Sequence, residues 1–95
     1  MYKILISPRT QIEIENAIDY YVLNSNDAPA KFIKSLEEVY LQISINPFKR
    51  VRYKSIRAIR LDKFPFALYF TINNKDKTVL ILSCFHHKRS PEKRP

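Results

Sequence analysis

The sequence over residues 57–70 reads Arg57-Ala-Ile-Arg-Leu-Asp-Lys-Phe-Pro-Phe-Ala-Leu-Tyr-Phe70. It predicts a charged strand, Ile56 to Leu61, that leads into a tight corner whose two phenylalanines, Phe64 and Phe66, are expected in the core. The aromatic and β-branched residues from Phe66 to Ile72 predict a second strand. Side chains alternate along a strand, so the even-numbered residues are expected on one face and Ala67, Tyr69 and Thr71 on the other.

A third strand is predicted from Thr78 to Phe85, where a near-continuous apolar run is typical of a central strand covered on both faces. The polar segment over residues 73–77 joins it to the preceding strand as a hairpin. The strand ends at His86 and His87. Regular alternation predicts two opposed sets of side chains, with Val79, Ile81 and Phe85 on one face and Leu80, Leu82 and Cys84 on the other.

The first half of the chain predicts a strand from Tyr2 to Ile6 and two helices. Ser7-Pro8 is typical of an N-cap followed by proline in the first turn, so the first helix is expected from Pro8 to about Leu23. Asp27 is expected to cap a second helix, which ends at Asn46-Pro47. Apolar residues at three- and four-residue spacing predict its buried face: Ala30, Ile33, Leu36, Val39, Tyr40 and Ile43.

This order of elements predicts an α+β fold, β-α-α-β-β-β, in which a helical hairpin packs on one face of a small, mainly antiparallel sheet. With 95 residues, the chain is expected to form one domain over residues 1–87, followed by a basic, proline-containing tail over residues 88–95. Both sheet faces carry apolar residues, yet the hairpin can cover only one of them. We expect a partner on the other face; the chain ends and a second copy are the alternatives.

The net charge of +8 is unevenly distributed along the chain. Residues 1–46 carry four Lys or Arg and six Asp or Glu, a balance of −2, whereas residues 47–95 carry thirteen and three, a balance of +10. Such asymmetry favours an acidic partner, either nucleic acid or an acidic protein segment. The alternative is a basic surface that is only solvated.

Composition excludes several classes of function. Glycine is absent, which excludes glycine-based phosphate cradles and dinucleotide fingerprints, and the asparagines are expected at left-handed turn positions. The single cysteine, Cys84, excludes an internal disulfide and is expected to be a buried, inert thiol. No metal-ligand spacing exists, and no cofactor is expected. No apolar run reaches the roughly 18 residues of a membrane span, and no signal peptide is predicted, so a cytoplasmic protein is expected.

Several motifs together resemble a known family: Ser7-Pro8, Asp19-Tyr20-Tyr21, Asn46-Pro47, Arg57-x-Ile59-x-Leu61-x-Lys63-Phe64-Pro65-Phe66-x-Leu68-Tyr69-Phe70 and His86-x-x-Arg89-x-Pro91. In this order the chain resembles the RelE/ParE superfamily of bacterial type II toxins, which includes the plasmid-stabilisation proteins. The resemblance implies a compact α+β toxin, held inactive by an antitoxin whose C-terminal segment wraps around it. A segment of acidic and apolar residues fits both the uncovered sheet face and the basic half of the chain.

The two branches of that superfamily imply two different targets. The Phe64-Pro65-Phe66 corner and the His86-x-x-Arg89-x-Pro91 motif are closer to the ParE branch, whose best-known member poisons DNA gyrase. RelE-like members cut messenger RNA on the ribosome; that branch carries an arginine where this chain has Ala67, and a C-terminal tyrosine without counterpart here. A ParE-like gyrase inhibitor is therefore expected. The alternatives are a ribosome-dependent mRNA endoribonuclease and a non-toxic, basic nucleic-acid-binding module.

The candidate site residues lie in the basic half of the chain. If the protein is an enzyme, cations would hold phosphates and histidine would move protons; the candidates are Arg57, Arg60, His86, His87 and Arg89. The surface for antitoxin or target is expected to include Arg57, Arg60, Lys63, Tyr69, Lys88 and Arg89. The odd spacing of Arg57 and Arg60 predicts opposite faces. One of the two is expected to support the fold through a helix carboxylate (Glu13, Glu15 or Asp19), and the other to be free for a partner.

Overall fold

The computed structural model describes residues 1–49, 52–53 and 55–87. The elements in chain order are β1 (Lys3–Ile6), α1 (Pro8–Asn24), α2 (Ala28–Ile45), a 3-10 turn (Pro47–Lys49), β2 (Arg52–Tyr53), β3 (Ile56–Arg60), β4 (Phe66–Asn73) and β5 (Thr78–His86). The predicted α+β fold is confirmed, with β2 as an addition. Sequence periodicity could not reveal β2, because two residues are too few to show an alternation.

The sheet has the strand order β1-β5-β4-β3-β2. β1 runs parallel to β5, and the other neighbouring strands are antiparallel, so the sheet is mainly antiparallel as predicted. β5 lies between β1 and β4, which explains its near-continuous apolar sequence. Neither helix, within the described part of the chain, is long and apolar enough to span a membrane.

The two helix starts use different caps. The Ser7 hydroxyl accepts a hydrogen bond from the Thr10 backbone N–H at 3.1 Å, and Pro8 occupies the first turn, as predicted. The expected cap at Asp27 is wrong, because its side chain makes no cap hydrogen bond. The Ser25 hydroxyl instead accepts from the N–H groups of Asp27 and Ala28, each at 3.2 Å. The cap thus lies in the polar loop, two residues before the predicted position.

The buried face of α2 differs from the predicted one in its first two turns. Leu36, Val39 and Ile43 are buried as predicted, but Ala30 and Ile33 are exposed and Phe32 is buried instead. Both stripes satisfy a three- to four-residue spacing, so periodicity alone could not choose between them. Phe32 decides the rotation, since burying a phenylalanine ring removes more apolar surface from water than burying an alanine.

The residues with left-handed backbone are not the asparagines that were expected there. Among the described residues, positive φ values occur at Lys63 (67°) and Lys77 (57°), and at no asparagine. Asn73 instead supports the β4–β5 turn through its side chain, which accepts from the Asp76 backbone N–H at 3.2 Å and donates to the Asp76 carboxylate at 3.0 Å. Asparagine therefore stabilises this turn by hydrogen bonding to the chain three residues ahead.

A β-bulge in β5 overturns the predicted alternation of its side chains. Tyr69 pairs with Ser83 but Phe70 pairs with Ile81, so Leu82 is an extra residue between them. Because one extra residue reverses the faces of everything that follows, Cys84 joins Ile81 in the core under the helices and Phe85 lies on the opposite face. The core cluster comprises Ala17, Phe32, Leu36, Val39, Ile43, Ile59, Leu61, Leu68, Phe70, Val79, Ile81 and Cys84.

Polar side chains of α1 cover the edge of β5 next to the bulge. β1 ends at Ile6, which pairs with Ile81. The following backbone groups of β5 bond to α1: the Thr10 hydroxyl donates to the Ile81 carbonyl at 3.0 Å, and the Ser7 hydroxyl donates to the Leu82 carbonyl at 3.3 Å. The Glu13 carboxylate accepts from the Cys84 N–H at 3.1 Å. We call this contact the α1–β5 seam. It satisfies strand-edge groups that would otherwise be buried without partners.

Thr10 tests the seam most directly, because its side chain is fully buried and its hydroxyl also contacts the Ser7 hydroxyl at 2.7 Å. Thr10→Val keeps the shape and removes both hydrogen bonds. We expect it to lower the free energy of unfolding in urea by about 1–3 kcal/mol. Thr71→Val makes the same change on the adjacent strand, where the hydroxyl bonds to no described residue; it should alter stability by less than about 0.5 kcal/mol. Equal losses for the two variants would contradict the seam.

Candidate functional site

The sheet face turned away from the helices, here called the open face, carries part of the predicted binding surface. Strand register places these described residues on it: Lys3, Leu5, Ile56, Ala58, Arg60, Ala67, Tyr69, Thr71, Asn73, Thr78, Leu80 and Phe85. Ala67 and Phe85 are buried, but neither belongs to the core cluster under the helices. The middle of the open face is therefore mostly apolar, and its cations among the described residues are Arg60 on β3 and Lys3 on β1.

The predicted uncovered apolar surface is present on only part of the open face. Leu5 and Leu80 pair across β1 and β5 and remain 42% and 37% exposed. At the other end, Ala67 and Phe85 retain only 4% and 2% of their surface, and the Phe85 ring stacks on Tyr69 with centroids 6.2 Å apart. The expectation was thus right for the Leu5–Leu80 end and wrong for the Ala67–Phe85 end.

Arg57 and Arg60 lie on opposite faces of β3, as predicted. Arg57 pairs with Phe70 on the helix side, and Arg60 pairs with Ala67 on the open face, where it is exposed. The expected ion pair of one arginine with a helix carboxylate is wrong. Arg57 Nη1 donates to the Phe48 carbonyl at 3.1 Å, and its guanidinium lies 5.4 Å from the centroid of the Phe48 ring.

Glu13 has other partners than Arg57 or Arg60. Its Oε1 accepts from the Ser83 hydroxyl at 2.8 Å and from the Cys84 N–H, and its Oε2 lies 3.5 Å from Arg9 Nε. This carboxylate therefore belongs to the α1–β5 seam. Sequence reasoning missed its role, although the polar series Ser7, Thr10, Glu13 at three-residue intervals was a signal that one stripe of α1 faces polar groups.

The corner before β4 places Lys63 beside α2, away from the open face. The Leu61 N–H donates to the Phe66 carbonyl at 2.9 Å, and the Ser35 hydroxyl donates to the Asp62 carbonyl at 3.4 Å, which together hold the corner against α2. Lys63 lines a depression that is shared with Lys31 and Lys34 of α2. It is not brought next to Arg60.

The two phenylalanines of the corner are partly buried and pack against the core, close to the prediction. Phe64 contacts Tyr21 and Phe32, with ring centroids 5.3 Å apart in each pair. Phe66 lies 5.5 Å from Phe32 and 5.1 Å from the His86 ring. The corner thus ties both helices to the end of β5 where the histidines lie.

A cleft of about 550 Å³ opens between α1 and the ends of β4 and β5; we call it the α1 cleft. Its lining is Glu13, Asn16, Ala17, Tyr20, Tyr21, Pro65, Phe66, Cys84 and His86. No sequence motif marked it, because its walls come from three separate segments of the chain. Among its lining groups, the Cys84 thiol has the largest shift in pKa.

Cys84 is a buried free thiol, as the sequence predicted. Burial, with a smaller contribution from the nearby Glu13 carboxylate, raises its pKa to about 12. A thiol of such high pKa is a poor nucleophile at neutral pH. Burial also raises the pKa of Tyr40 to about 12, and the Tyr40 hydroxyl has no hydrogen-bond partner among the described residues.

The candidate catalytic residues are not gathered in one place. His86 pairs with Phe66 and lines the α1 cleft on the helix side, whereas Arg60 projects from the open face and Arg57 is bound to Phe48. The ring of His87 lies 6.3 Å from that of His86, and the His87 backbone N–H donates to the Pro65 carbonyl. Lys88, Arg89 and the tail over residues 88–95 lie outside the described residues and stay predictions.

Comparison with known proteins now identifies the family. Residues 4–91 match the model of the ParE toxin of type II toxin-antitoxin systems. The chain therefore belongs to the ParE toxin family, it is a type II toxin, and the resemblance to the RelE/ParE superfamily is confirmed. None of the curated proteins matches the chain in sequence.

Solved structures of both branches share the fold. The chromosomal ParDE toxin–antitoxin system from P. aeruginosa matches at 18% identity and a TM-score of 0.62, over 90% of this chain and 96% of that one. The isolated E. coli RelE toxin matches at 14% identity and 0.66, over 97% and 90%. The intact E. coli RelBE toxin–antitoxin complex matches at 13% identity and 0.67, over 94% and 100%. At such low identities the likeness shows the fold alone.

The different environments of the two arginines predict different effects on stability. Arg57→Ala removes the hydrogen bond and the cation–π contact with Phe48 and should lower the free energy of unfolding by about 1 kcal/mol. Arg60→Ala removes the same side chain from an exposed position and should change it by less than about 0.5 kcal/mol. Urea denaturation measures both. A larger loss for Arg60→Ala would reverse the roles assigned to the two arginines.

The buried Cys84 predicts an alkaline loss of stability. Its pKa rises from 9.0 to about 12 on folding, so its contribution is complete below pH 9 and is lost as pH rises from 9 through 12. Cys84→Ala should flatten the fall of unfolding free energy between pH 9 and 10 by about 1 kcal/mol per pH unit. Tyr40→Phe is the control, because a tyrosine whose pKa rises from 10.0 to about 12 on folding acts mainly above pH 10. Equal slopes for wild type and Cys84→Ala between pH 9 and 10 would contradict the prediction.

Proposed function

We propose that this toxin arrests growth by inhibiting DNA gyrase and that a cognate antitoxin protein neutralises it. The family match to ParE toxins supports the target, because the best-known member of that branch acts on gyrase. The match to a ParDE system and to a RelBE complex supports the antitoxin, since both are described as toxin–antitoxin assemblies. The proposal implies a cytoplasmic toxin.

The separation of the candidate catalytic residues supports inhibition of gyrase over cleavage of RNA. Cutting a phosphodiester needs cations and a proton-transfer group that converge on the same few atoms. Arg60 and His86 extend from adjacent rungs of the sheet but from opposite faces, because their partners Ala67 and Phe66 are successive residues of β4. Arg57 is held by Phe48. This arrangement favours binding over catalysis.

The open face is the surface that we assign to protein partners. The exposed Leu5–Leu80 pair supplies apolar area, and the exposed Arg60 supplies charge beside Tyr69. An antitoxin segment that mixes acidic and apolar residues would complement both, and its carboxylates would be attracted by the +10 balance of residues 47–95. Of the other residues predicted for this surface, Lys63 lies beside α2 and Arg57 on the helix side.

Inhibition of supercoiling tests the target. Purified toxin should block ATP-dependent supercoiling of relaxed plasmid by gyrase, and the antitoxin, added first, should restore it. Arg60→Glu reverses the charge of the exposed arginine on the proposed surface and should raise the half-inhibitory concentration by about tenfold or more. Lys34→Glu makes the same charge change on the exposed side of α2 and should leave inhibition unchanged.

Two results would overturn the proposal. The first is complete supercoiling at saturating, folded toxin. The second is toxin-dependent cutting of translated messenger RNA at the ribosomal A site, detected by primer extension, with loss of cutting in His86→Ala. The second result would assign the RelE-like activity instead.

A further inference from the structure

The α1 cleft has a lining that the proposed function does not use. Its walls present aromatic surface from Tyr20, Tyr21 and Phe66, and its volume of about 550 Å³ is within the range of sites that accept a small ligand or a large side chain. Tyr20 is 61% exposed at the rim, so its ring is accessible from solvent. The polar groups among these rings decide which chemistry the cleft can accept.

Among the described lining residues, Glu13 supplies the one carboxylate, and Asn16, His86 and the two tyrosines supply further polar groups. Glu13 keeps 21% of its side chain exposed, and its Oε2 lies 3.5 Å from Nε of Arg9, whose own side chain is half exposed. Asn16, one turn before Tyr20, lines the cleft and makes no side-chain hydrogen bond to any described residue. No lysine or arginine is among the described residues of the lining. An anionic ligand such as a phosphate is therefore disfavoured.

We propose that the α1 cleft is a receptor for an arginine side chain presented by a partner protein. A guanidinium is planar, stacks on aromatic rings and carries five N–H donors, so it can use the rings and reach both Glu13 Oε2 and the Asn16 amide oxygen. A lysine ammonium is compact and strongly hydrated, and it cannot stack. The inference is independent of the target, since the cleft lies on the helix side and the open face on the other.

The experiment is an NMR titration of the labelled toxin with N-acetyl-arginine amide. The probe should bind weakly, with a dissociation constant on the order of 1–10 mM, and shift the amide signals of Glu13, Tyr20 and Phe66. N-acetyl-citrulline amide has the same shape without the charge and should bind roughly tenfold more weakly or worse. N-acetyl-lysine amide should also be weaker than the arginine probe.

Matched variants distinguish binding in the cleft from attraction to the acidic residues of α1 in general. Glu13→Gln should weaken arginine binding about tenfold, while Glu15→Gln, the same change on α1 outside the cleft, should leave it unchanged. Since Glu13 also supports the α1–β5 seam, Tyr20→Ala provides a second variant at an exposed position; it should weaken binding roughly two- to fivefold, as expected for a lost cation–π contact.

Several outcomes would overturn the inference. Equal binding of citrulline and arginine probes, or tighter binding of N-acetyl-tryptophan amide, would make the cleft a general apolar site. Equal losses of arginine affinity in Glu13→Gln and Glu15→Gln would show that binding depends only on the charge of α1. Binding of a nucleoside monophosphate in preference to the arginine probe would exclude a protein side chain as the ligand. Because no gyrase is present in the titration, its failure would leave the proposed target untouched.

Discussion

The structure depends on how the edge of its central strand is satisfied. β5 is paired with β4 along its length, but β1 covers it only from Thr78 to Ile81. Beyond that point, its backbone groups bond to the side chains of Ser7, the N-cap of α1, and of Thr10 and Glu13 within the helix. A buried backbone group without a partner costs about as much as a lost hydrogen bond. The direction of α1, and the packing of α2 beside it, are therefore tied to three polar side chains as well as to apolar burial.

The bulge at Leu82 and the α1–β5 seam belong together. In a regular strand, Phe85 would follow Ile81 into the core, and Cys84 and His86 would lie on the open face. The extra residue reverses this order, so that Cys84 is buried under the helices next to Glu13, and His86 contacts Phe66. The Ile81 and Leu82 carbonyls at the bulge are the ones that Thr10 and Ser7 bind. Irregular backbone is thus placed where α1 can satisfy it.

The sequence predicted the elements of this fold better than it predicted their contacts. The start of α1 and the end of α2 follow from the local signals Ser7-Pro8 and Asn46-Pro47. The bulge has no local signal, because Leu80, Leu82 and Cys84 are equally apolar on either face. The partner of Arg57 was missed for a similar reason: a backbone carbonyl and a ring, both from Phe48, replace the carboxylate that charge alone would choose. Residue type limits the possible partners, and chain geometry selects among them.

The bulge also bears on function, because it decides which face His86 occupies. Without it, the histidine would lie on the open face, the face that carries Arg60, and a proton-transfer group and a cation would be on the same side of the sheet. With the bulge, the two side chains project from opposite faces of the sheet. The basic, apolar open face and the acidic, aromatic α1 cleft then become two surfaces of different chemistry. A partner that binds both surfaces would have to pass around an edge of the sheet. An extended segment can do this, whereas a flat globular surface cannot.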